Sequence, residues 1–195
     1  MKKANMQLQI REFIKYKFLN SLFFGISVGS IFILYTPLEP SIYSAGGIIL
    51  ALGTLVIAKI YSKILNIEYF FKISVLVELI VLCIVTYFLI FNYNYMTALL
   101  VYIGYQLTFM FGSYLLRAET VFLKKTKNFS FIDVAKQKGY LIGLLLSFCF
   151  YKILEIVFNI TDKQIQVYDI HFLLILNQFL VLFFLFRSFK NRLEN

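Results

Sequence analysis

Charged side chains, cysteines and histidines are all scarce in this sequence. Only 15% of the 195 residues are charged, whereas soluble domains average about 25%. Apolar residues make up 61% of the chain, and the mean hydropathy is +0.80. A soluble core of this size could not bury so much apolar surface, so the bilayer must be the solvent for much of it. The composition therefore excludes an ordinary soluble domain and predicts an integral membrane protein.

The two cysteines and the single histidine exclude several kinds of site. Cys83 and Cys149 lie inside apolar runs, where we expect buried, unpaired thiols rather than a structural disulfide. His171 alone cannot supply a metal-binding pattern. The sequence has no CxxC motif, nucleophile elbow or phosphate-binding glycine loop. These absences predict a protein with no enzymatic activity, cofactor or metal ion.

Six apolar runs are long enough, or nearly so, to cross about 30 Å of hydrocarbon, which takes roughly 20 helical residues. We predict an all-α fold, with residues 1–195 forming a single six-helix membrane domain. The sixth run is the shortest before its first charge, and Arg187 can reach the headgroups by snorkelling. The predicted spans are 18–36, 42–60, 73–91, 95–116, 139–160 and 170–189.

Basic residues are distributed unevenly between the two sets of connections. All but Lys152 and Lys163 of the 19 lysines and arginines lie in the tails, in the second connection or in the fourth. The longest polar interruption, residues 117–138, is predicted to be a basic loop. Because cytoplasmic loops are rich in lysine and arginine, these segments and both termini are predicted to be cytoplasmic. The net charge of +9 therefore indicates membrane orientation and not a nucleic-acid partner.

The two ends are predicted to be cytoplasmic extensions of this domain. Residues 1–17 are basic but too long and too polar for an ordinary signal peptide. They are predicted to form an interfacial lead-in helix, with Phe13, Ile14 and Phe18 facing lipid. Residues 190–195 form the predicted carboxyl-terminal tail. The predicted location is the plasma membrane, which is the inner membrane in bacteria.

Spans three and six contain no glycine, since all nine glycines fall in spans one, two, four and five. Small residues let membrane helices approach closely, and two GxxxG pairs each place two glycines on one helical face. We therefore predict helix packing through Gly25 and Gly29 of span one and through Gly139 and Gly143 of span five. Spans three and six are predicted to be peripheral and to face lipid. This distribution divides the chain into two three-helix repeats, each with two tightly packed helices followed by a peripheral one.

Two such triplets, with a basic second connection and a longer basic connection after span four, resemble one six-helix half of a major facilitator superfamily transporter. The hairpin SVGSIFILYTPLEPSIYSAGGIILALGTLVIAKIYSKIL is similar to that family's first two helices, and YIGYQLTFMFGSYLLRAET and GYLIGLLLSFCF resemble its fourth and fifth. The resemblance implies a secondary transporter in which two bundles surround a central cavity. It also implies that this chain pairs as a homodimer or with a second six-helix half.

Charged side chains inside the apolar runs are candidates for function, because intramembrane charge is costly. Glu78 lies in the middle of span three, either as a protonatable coupling carboxylate or as a glutamate paired within a peripheral helix. Lys152 and Glu155 stand three residues apart in span five and can pair with each other. They belong either to the outer end of that span or to the wall of a substrate cavity.

Span four offers candidate ligand contacts and a candidate latch. Tyr102, Tyr105 and Gln106 either line a substrate cavity, as the fourth helix of the resembled family often does, or form interhelical hydrogen bonds. Arg117 and Glu119 end this span and are candidates for a cytoplasmic latch between helix ends that separate in alternating access. An ordinary cytoplasmic anchor is the other interpretation of Arg117.

The leading hypothesis is a small-molecule secondary transporter, or a transporter-like subunit, that moves an unidentified cargo as a dimer. One alternative is a non-transporting membrane scaffold or assembly protein with a degenerate transporter fold, because AKIYSKILN lacks the glycine and the acidic residue of the family's motif after span two. Another is the substrate-binding membrane subunit of an energy-coupling-factor importer, which would dock through small residues on its first helix. A central face filled by bulky side chains would favour the scaffold.

Overall fold

The computed structural model describes residues 5–91, 93–123 and 125–192, nearly all of them in α-helices. Six helical segments are long and apolar enough to cross a membrane. Lys2, Lys3 and Lys124 and residues 193–195 of the predicted tails and loop lie outside the described residues. The elements are β1 (Asn5–Leu8), α1 (Ile10–Leu34), α2 (Pro40–Lys59), α3 (Tyr61–Ile64), α4 (Ile67–Ile90), α5 (Tyr95–Met110), α6 (Gly112–Leu123), α7 (Thr126–Ile156), α8 (Lys163–Ser188) and β2 (Phe189–Arg192).

The all-α fold with six membrane-length segments is confirmed, although several ends differ from the prediction. Span four consists of two helices, α5 and α6, which meet at Phe111. The amide of Phe111 donates to the Thr108 carbonyl at 3.2 Å, so one tightened turn joins the two helices. Span five is α7, which begins at Thr126 rather than at residue 139.

The segment predicted to be a basic loop, 117–138, is helical instead. Its first part belongs to α6 and most of the rest to the start of α7. The start of α7 continues past its apolar run because one face of the helix packs on the bundle. In α7, Ile132, Ala135 and Gly139 are buried at spacings of three and four residues, which place them on one face of the helix. Average hydropathy overlooks such an amphipathic extension.

Strands β1 and β2 pair antiparallel and hold the two ends of the described chain together. Gln7 lies opposite Lys190 in this ribbon, and the amide of Gln9 donates to the Ser188 carbonyl at 2.7 Å. Because β1 leads into α1 and β2 follows α8, both ends lie at the same end of the bundle, which we call the ribbon end. The connection after α2 and the α6–α7 connection also lie there, so the basic segments gather at this end.

The amino-terminal segment does not form a separate interfacial helix. Helix α1 begins at Ile10 and runs to Leu34, so it includes the end of the predicted lead-in. Phe13 is fully buried, with its ring centroid 5.9 Å from that of Phe70 and 6.4 Å from that of Phe189. The prediction that Phe13 faces lipid is therefore wrong, because β2 and the start of α4 cover it. Ile14 and Phe18 are half-buried along a surface groove.

The order of helix packing differs from the predicted one. The main contacts place α1 between α7 and α8, α8 also against α4, α4 against α5, and α5 against α2. In the most apolar part of each span, 44% of α8 and 39% of α4 are buried, against 11% of α2 and 22% of α7. The prediction that spans three and six are peripheral is therefore wrong within this chain. Bulky side chains bury these two spans without any glycine.

The predicted packing glycines bring α1 and α7 together in the most extensive helix contact of the described chain. A Cβ atom at Gly143 would overlap the carbonyl oxygen of Leu22 and would lie 2.9 Å from the Cα of Gly25. Both atoms belong to the backbone of α1, so a larger residue would have to push the whole helix away. Gly25, Gly29, Gly139 and Gly143 all lie on this interface.

The two cysteines are unpaired, as predicted, but they are not buried. Cys83 in α4 and Cys149 in α7 are both exposed on the surface of the bundle. Their apolar neighbours in the sequence reflect a membrane-facing surface and not a protein core. In a helix that crosses a bilayer, apolar runs alone do not separate these two environments.

Candidate functional site: a cleft beside Glu78

A cleft of about 660 Å³ lies between α1, α4, α5 and α7. Aromatic and aliphatic side chains form much of its wall, including Phe23, Phe24 and Val81. A few polar groups converge among them, and this combination is typical of sites for small polar molecules. The polar lining includes Asn20, Ser21, Glu78, Tyr105, Thr108 and Lys136.

Glu78 is the centre of a buried hydrogen-bond network and is only 1% exposed. Its Oε1 accepts from the Tyr16 hydroxyl at 2.7 Å and from Asn20 Nδ2 at 2.9 Å. Its Oε2 accepts from Gln178 Nε2, also at 2.9 Å. A buried carboxylate needs such partners to replace water. The network therefore ties α4 to α1 and α8 at the wall of the cleft.

Both interpretations of Glu78 from the sequence describe part of its position. The side chain is paired within the bundle, and it also lines the cleft. Its partners were not predicted as site residues. Gln178 was nevertheless a visible signal, because it is a polar residue in the middle of the other glycine-free span. Tyr16 and Asn20 stand four residues apart, which places them on one face of α1.

A second polar cluster joins three helices beside the cleft. Glu119 of α6 is 4% exposed. One of its carboxylate oxygens lies 2.7 Å from Lys17 Nζ in α1, and the other lies 2.5 Å from Lys136 Nζ in α7. Lys136 also lines the cleft and lies 3.5 Å from the exposed Asp133 carboxylate. The cluster therefore connects spans one, four and five near the ribbon end.

Of the predicted latch pair, Arg117 and Glu119, only Glu119 belongs to this cluster. Arg117 is exposed on α6, whereas Glu119 is buried and binds Lys17 and Lys136. Two residues apart on a helix, Arg117 and Glu119 point in different directions, so proximity in the sequence did not indicate a shared role. The partners of Glu119 come from distant parts of the chain.

The three candidates in span four separate onto two faces of α5. Tyr105 is buried and lines the cleft. Tyr102 instead packs edge-on against Tyr35 and Tyr43, with ring centroids 5.3 and 5.5 Å away. Gln106 follows Tyr102 by one turn on the same face, and its buried Oε1 has no hydrogen-bond partner in the described chain. Tyr102 and Gln106 therefore lie away from the cleft.

Lys152 and Glu155 lie on the outer surface of α7 and not in the cleft. Lys152 Nζ donates to Glu155 Oε2 at 2.6 Å, the pair that their spacing allows. Their side chains are 50% and 47% exposed. An exposed pair of this kind stabilises a helix only slightly.

No protein-family model matches the chain, and no curated protein or solved structure is significantly similar to it. The fold and the six long apolar helices define an integral membrane protein of the all-α class. The cleft and its charged groups are therefore the basis for a functional hypothesis.

Proposed function

We propose that the chain is a six-helix subunit of a secondary transporter that binds a small polar molecule in the cleft beside Glu78. The observation that carries the proposal is a carboxylate in the middle of a membrane-length helix that also lines a cleft of 660 Å³. Ionisable groups inside a membrane are costly, and those that face a cavity commonly serve binding or proton transfer. Glu78 is the proposed coupling carboxylate, and Tyr105 is the proposed cargo contact.

The packing order supports two three-helix repeats. Suppose that span one is exchanged with span four, span two with span five and span three with span six. The α1–α7 contact then corresponds to the α5–α2 contact, and the α1–α8 contact corresponds to the α5–α4 contact. The α4–α8 contact is unchanged by this exchange. A pseudo-twofold axis would produce this pattern, as the resemblance to the major facilitator superfamily implies. Spans three and six then pack together, and span three forms one wall of the cleft.

The proposed transporter is a dimer of six-helix halves in the plasma membrane, with the ribbon end in the cytoplasm. Helices α2 and α7 are the least buried spans and offer the largest surfaces for a second half. Closed twofold pairs are the commonest assemblies of identical subunits. The gathering of basic residues at the ribbon end supports the orientation.

Two observations favour this proposal over its alternatives. A scaffold with a filled central face is not favoured, because four helices leave a cleft lined by polar groups. An importer subunit that docks through the glycines of its first helix is not favoured either, because Gly25 packs on α7 within this chain.

Carbodiimide labelling tests whether Glu78 is a protonatable group that the cleft exposes. Dicyclohexylcarbodiimide enters membranes and reacts with protonated carboxyl groups. In proteoliposomes we expect an adduct on Glu78, located by peptide mass spectrometry. Labelling should slow as the pH rises, because the protonated fraction of the carboxyl group falls. A cargo that occupies the cleft should protect Glu78, so panels of amino acids, sugars and polyamines can be screened by this measurement.

The variant Glu78→Gln is the matched negative for labelling and should keep the fold. Its amide oxygen can accept from Tyr16 and Asn20. Its amide nitrogen cannot accept from Gln178 Nε2, which keeps its hydrogen bond to the backbone carbonyl at position 78. We expect a loss of stability of about 1–2 kcal/mol for the one lost hydrogen bond. Glu155→Gln, at the exposed pair, should leave Glu78 labelling unchanged. Wild-type protein that never forms an adduct on Glu78 would contradict the proposal.

A further inference from the structure

A groove of about 480 Å³ lies on the outside of the bundle between α1, α7 and α8. Its floor is apolar, and among the described residues that line it the charged ones are Lys15 and Lys138. The apolar lining includes Ile14, Phe18, Phe131, Val134 and Phe184. We call this depression the lysine groove. It is separate from the cleft beside Glu78.

We propose that the lysine groove binds one anionic phospholipid. An acyl chain lies along the apolar floor, and the phosphate lies between the ammonium groups of Lys15 and Lys138. Basic pockets between membrane helices on the cytoplasmic side are suited to such headgroups. The apolar floor therefore matches the acyl chain, and the two lysines match the phosphate.

The groove lies at the depth that this ligand requires. Lys15 is in the second turn of α1, and Phe184 is one turn before the end of α8, so both are close to the ribbon end. Residues further along α1, such as Phe18, extend the apolar floor towards the middle of the bilayer. Lys138 lies deeper than Lys15, because the neighbouring Gly139 contacts the backbone of Phe18. Its long side chain can reach the headgroup level by snorkelling.

The charges around the groove favour an anionic headgroup. Lys15 Nζ lies 3.0 Å from a carboxylate oxygen of Glu12 and 5.3 Å from the centroid of the Phe184 ring. Glu12 is shared with Arg187, whose Nε lies 3.3 Å from its other oxygen. Lys138 is exposed and has no acidic partner among the described residues. The mouth of the groove therefore has a net positive charge. It attracts a headgroup with a net negative charge more strongly than a zwitterionic headgroup.

The apolar floor identifies a lipid as the source of the phosphate. Two lysines at a water-exposed surface bind free phosphate weakly, because salt screens them and neither is desolvated. An acyl chain adds the burial of apolar surface between Phe18, Val134 and Phe184. A phospholipid therefore gains binding free energy from both the lysines and the apolar floor, whereas inorganic phosphate gains it from the lysines alone.

The absence of tryptophan from the sequence allows a direct assay. A single tryptophan introduced by Phe131→Trp reports on the groove, and Phe148→Trp, at an exposed position of the same helix, is its control. Each protein is placed in phosphatidylcholine vesicles that contain brominated phosphatidylglycerol or brominated phosphatidylcholine, whose bromines quench tryptophan fluorescence. We expect phosphatidylglycerol to be preferred at Phe131→Trp by about fivefold or more, since a lysine near an anionic headgroup contributes about fivefold. Phe148→Trp should show a preference close to one.

Charge variants separate this site from general surface attraction. In the Phe131→Trp protein, Lys15→Gln with Lys138→Gln should reduce the preference to about one. Lys152→Gln with Lys163→Gln removes the same charge elsewhere and should leave the preference unchanged. The proposal is overturned by equal quenching from the two lipids, by loss of preference in the Lys152 and Lys163 variant, or by recovery of fluorescence on addition of inorganic phosphate. Quenching of each variant's own tryptophan by brominated phosphatidylcholine verifies that the variant is inserted in the bilayer.

Discussion

Gly143→Ala is expected to destabilise the protein by about 3 kcal/mol or more, because the contact between α1 and α7 has no space for the added methyl group. The added Cβ would overlap the carbonyl oxygen of Leu22 and approach the Cα of Gly25. Neither atom belongs to a side chain that can rotate away. Relief requires separation of α1 from α7, which form the most extensive helix contact of the described chain. Thermal unfolding in detergent, followed by circular dichroism, should show a midpoint lower by about 10 °C.

Gly47→Ala is the matched control for this substitution. Gly47 lies in α2, where an added Cβ would meet no atom within 4 Å. Alanine also favours a helix over glycine by about 1 kcal/mol. The variant should therefore be as stable as the wild type or slightly more stable. Equal melting of the Gly143 and Gly47 variants would show that the two helices are not packed through these glycines.

Glu119→Ala is expected to cost about 3 kcal/mol, because it leaves two lysines near one another without their shared carboxylate. The Lys17 side chain is 13% exposed and that of Lys136 is 24% exposed, so water replaces the lost partner only in part. The same measurement of thermal unfolding applies. Lys17→Met in the Glu119→Ala background should recover part of the loss, since Lys17 is the more deeply buried of the two lysines and Lys136 keeps Asp133 nearby.

Glu155→Ala is the control for the loss of a glutamate paired with lysine. Its partner Lys152 is half-exposed, and so is Glu155 itself. Removal of this surface pair should cost less than about 0.5 kcal/mol. A loss at Glu119 that is no larger than the loss at Glu155 would mean that the three-helix cluster does not hold the ribbon end together.

Much of the framework follows from simple counts on the sequence. The length of the apolar runs gives six membrane-length helices, and these are present in the structure. An even number of spans with two basic tails implies ends on the same side, and the β1–β2 ribbon brings both ends together. The glycine pairs, such as Gly139 and Gly143, indicate faces of close helix packing, although they do not indicate that α1 packs against α7. The signals for these features are local, because the apolar runs, the basic tails and the two glycines of each pair lie within short stretches of the sequence.

The remaining features depend on contacts between distant segments. Phe13 is covered by Phe189 of β2, which lies near the other end of the chain, and no local sequence pattern predicts this contact. Glu78 meets Tyr16 and Gln178 only because α4 packs beside α1 and α8. Glycine content does not measure how central a membrane helix is, because helices without glycine, such as α4 and α8, are buried by bulky side chains. For these reasons the sequence indicated Glu78 as a candidate without showing its partners.

The most direct test of the central claim, six membrane crossings with both ends in the cytoplasm, is the accessibility of single cysteines. Cys83 and Cys149 are first replaced by alanine, and cysteine is then introduced at Gln7, at Lys190 or at Lys163. The first two positions face each other in the ribbon, and the third begins α8 at the opposite end. With an impermeant maleimide on intact cells, only Lys163→Cys should react, and Gln7→Cys and Lys190→Cys should react after permeabilisation. Reaction of either ribbon cysteine in intact cells would contradict this topology.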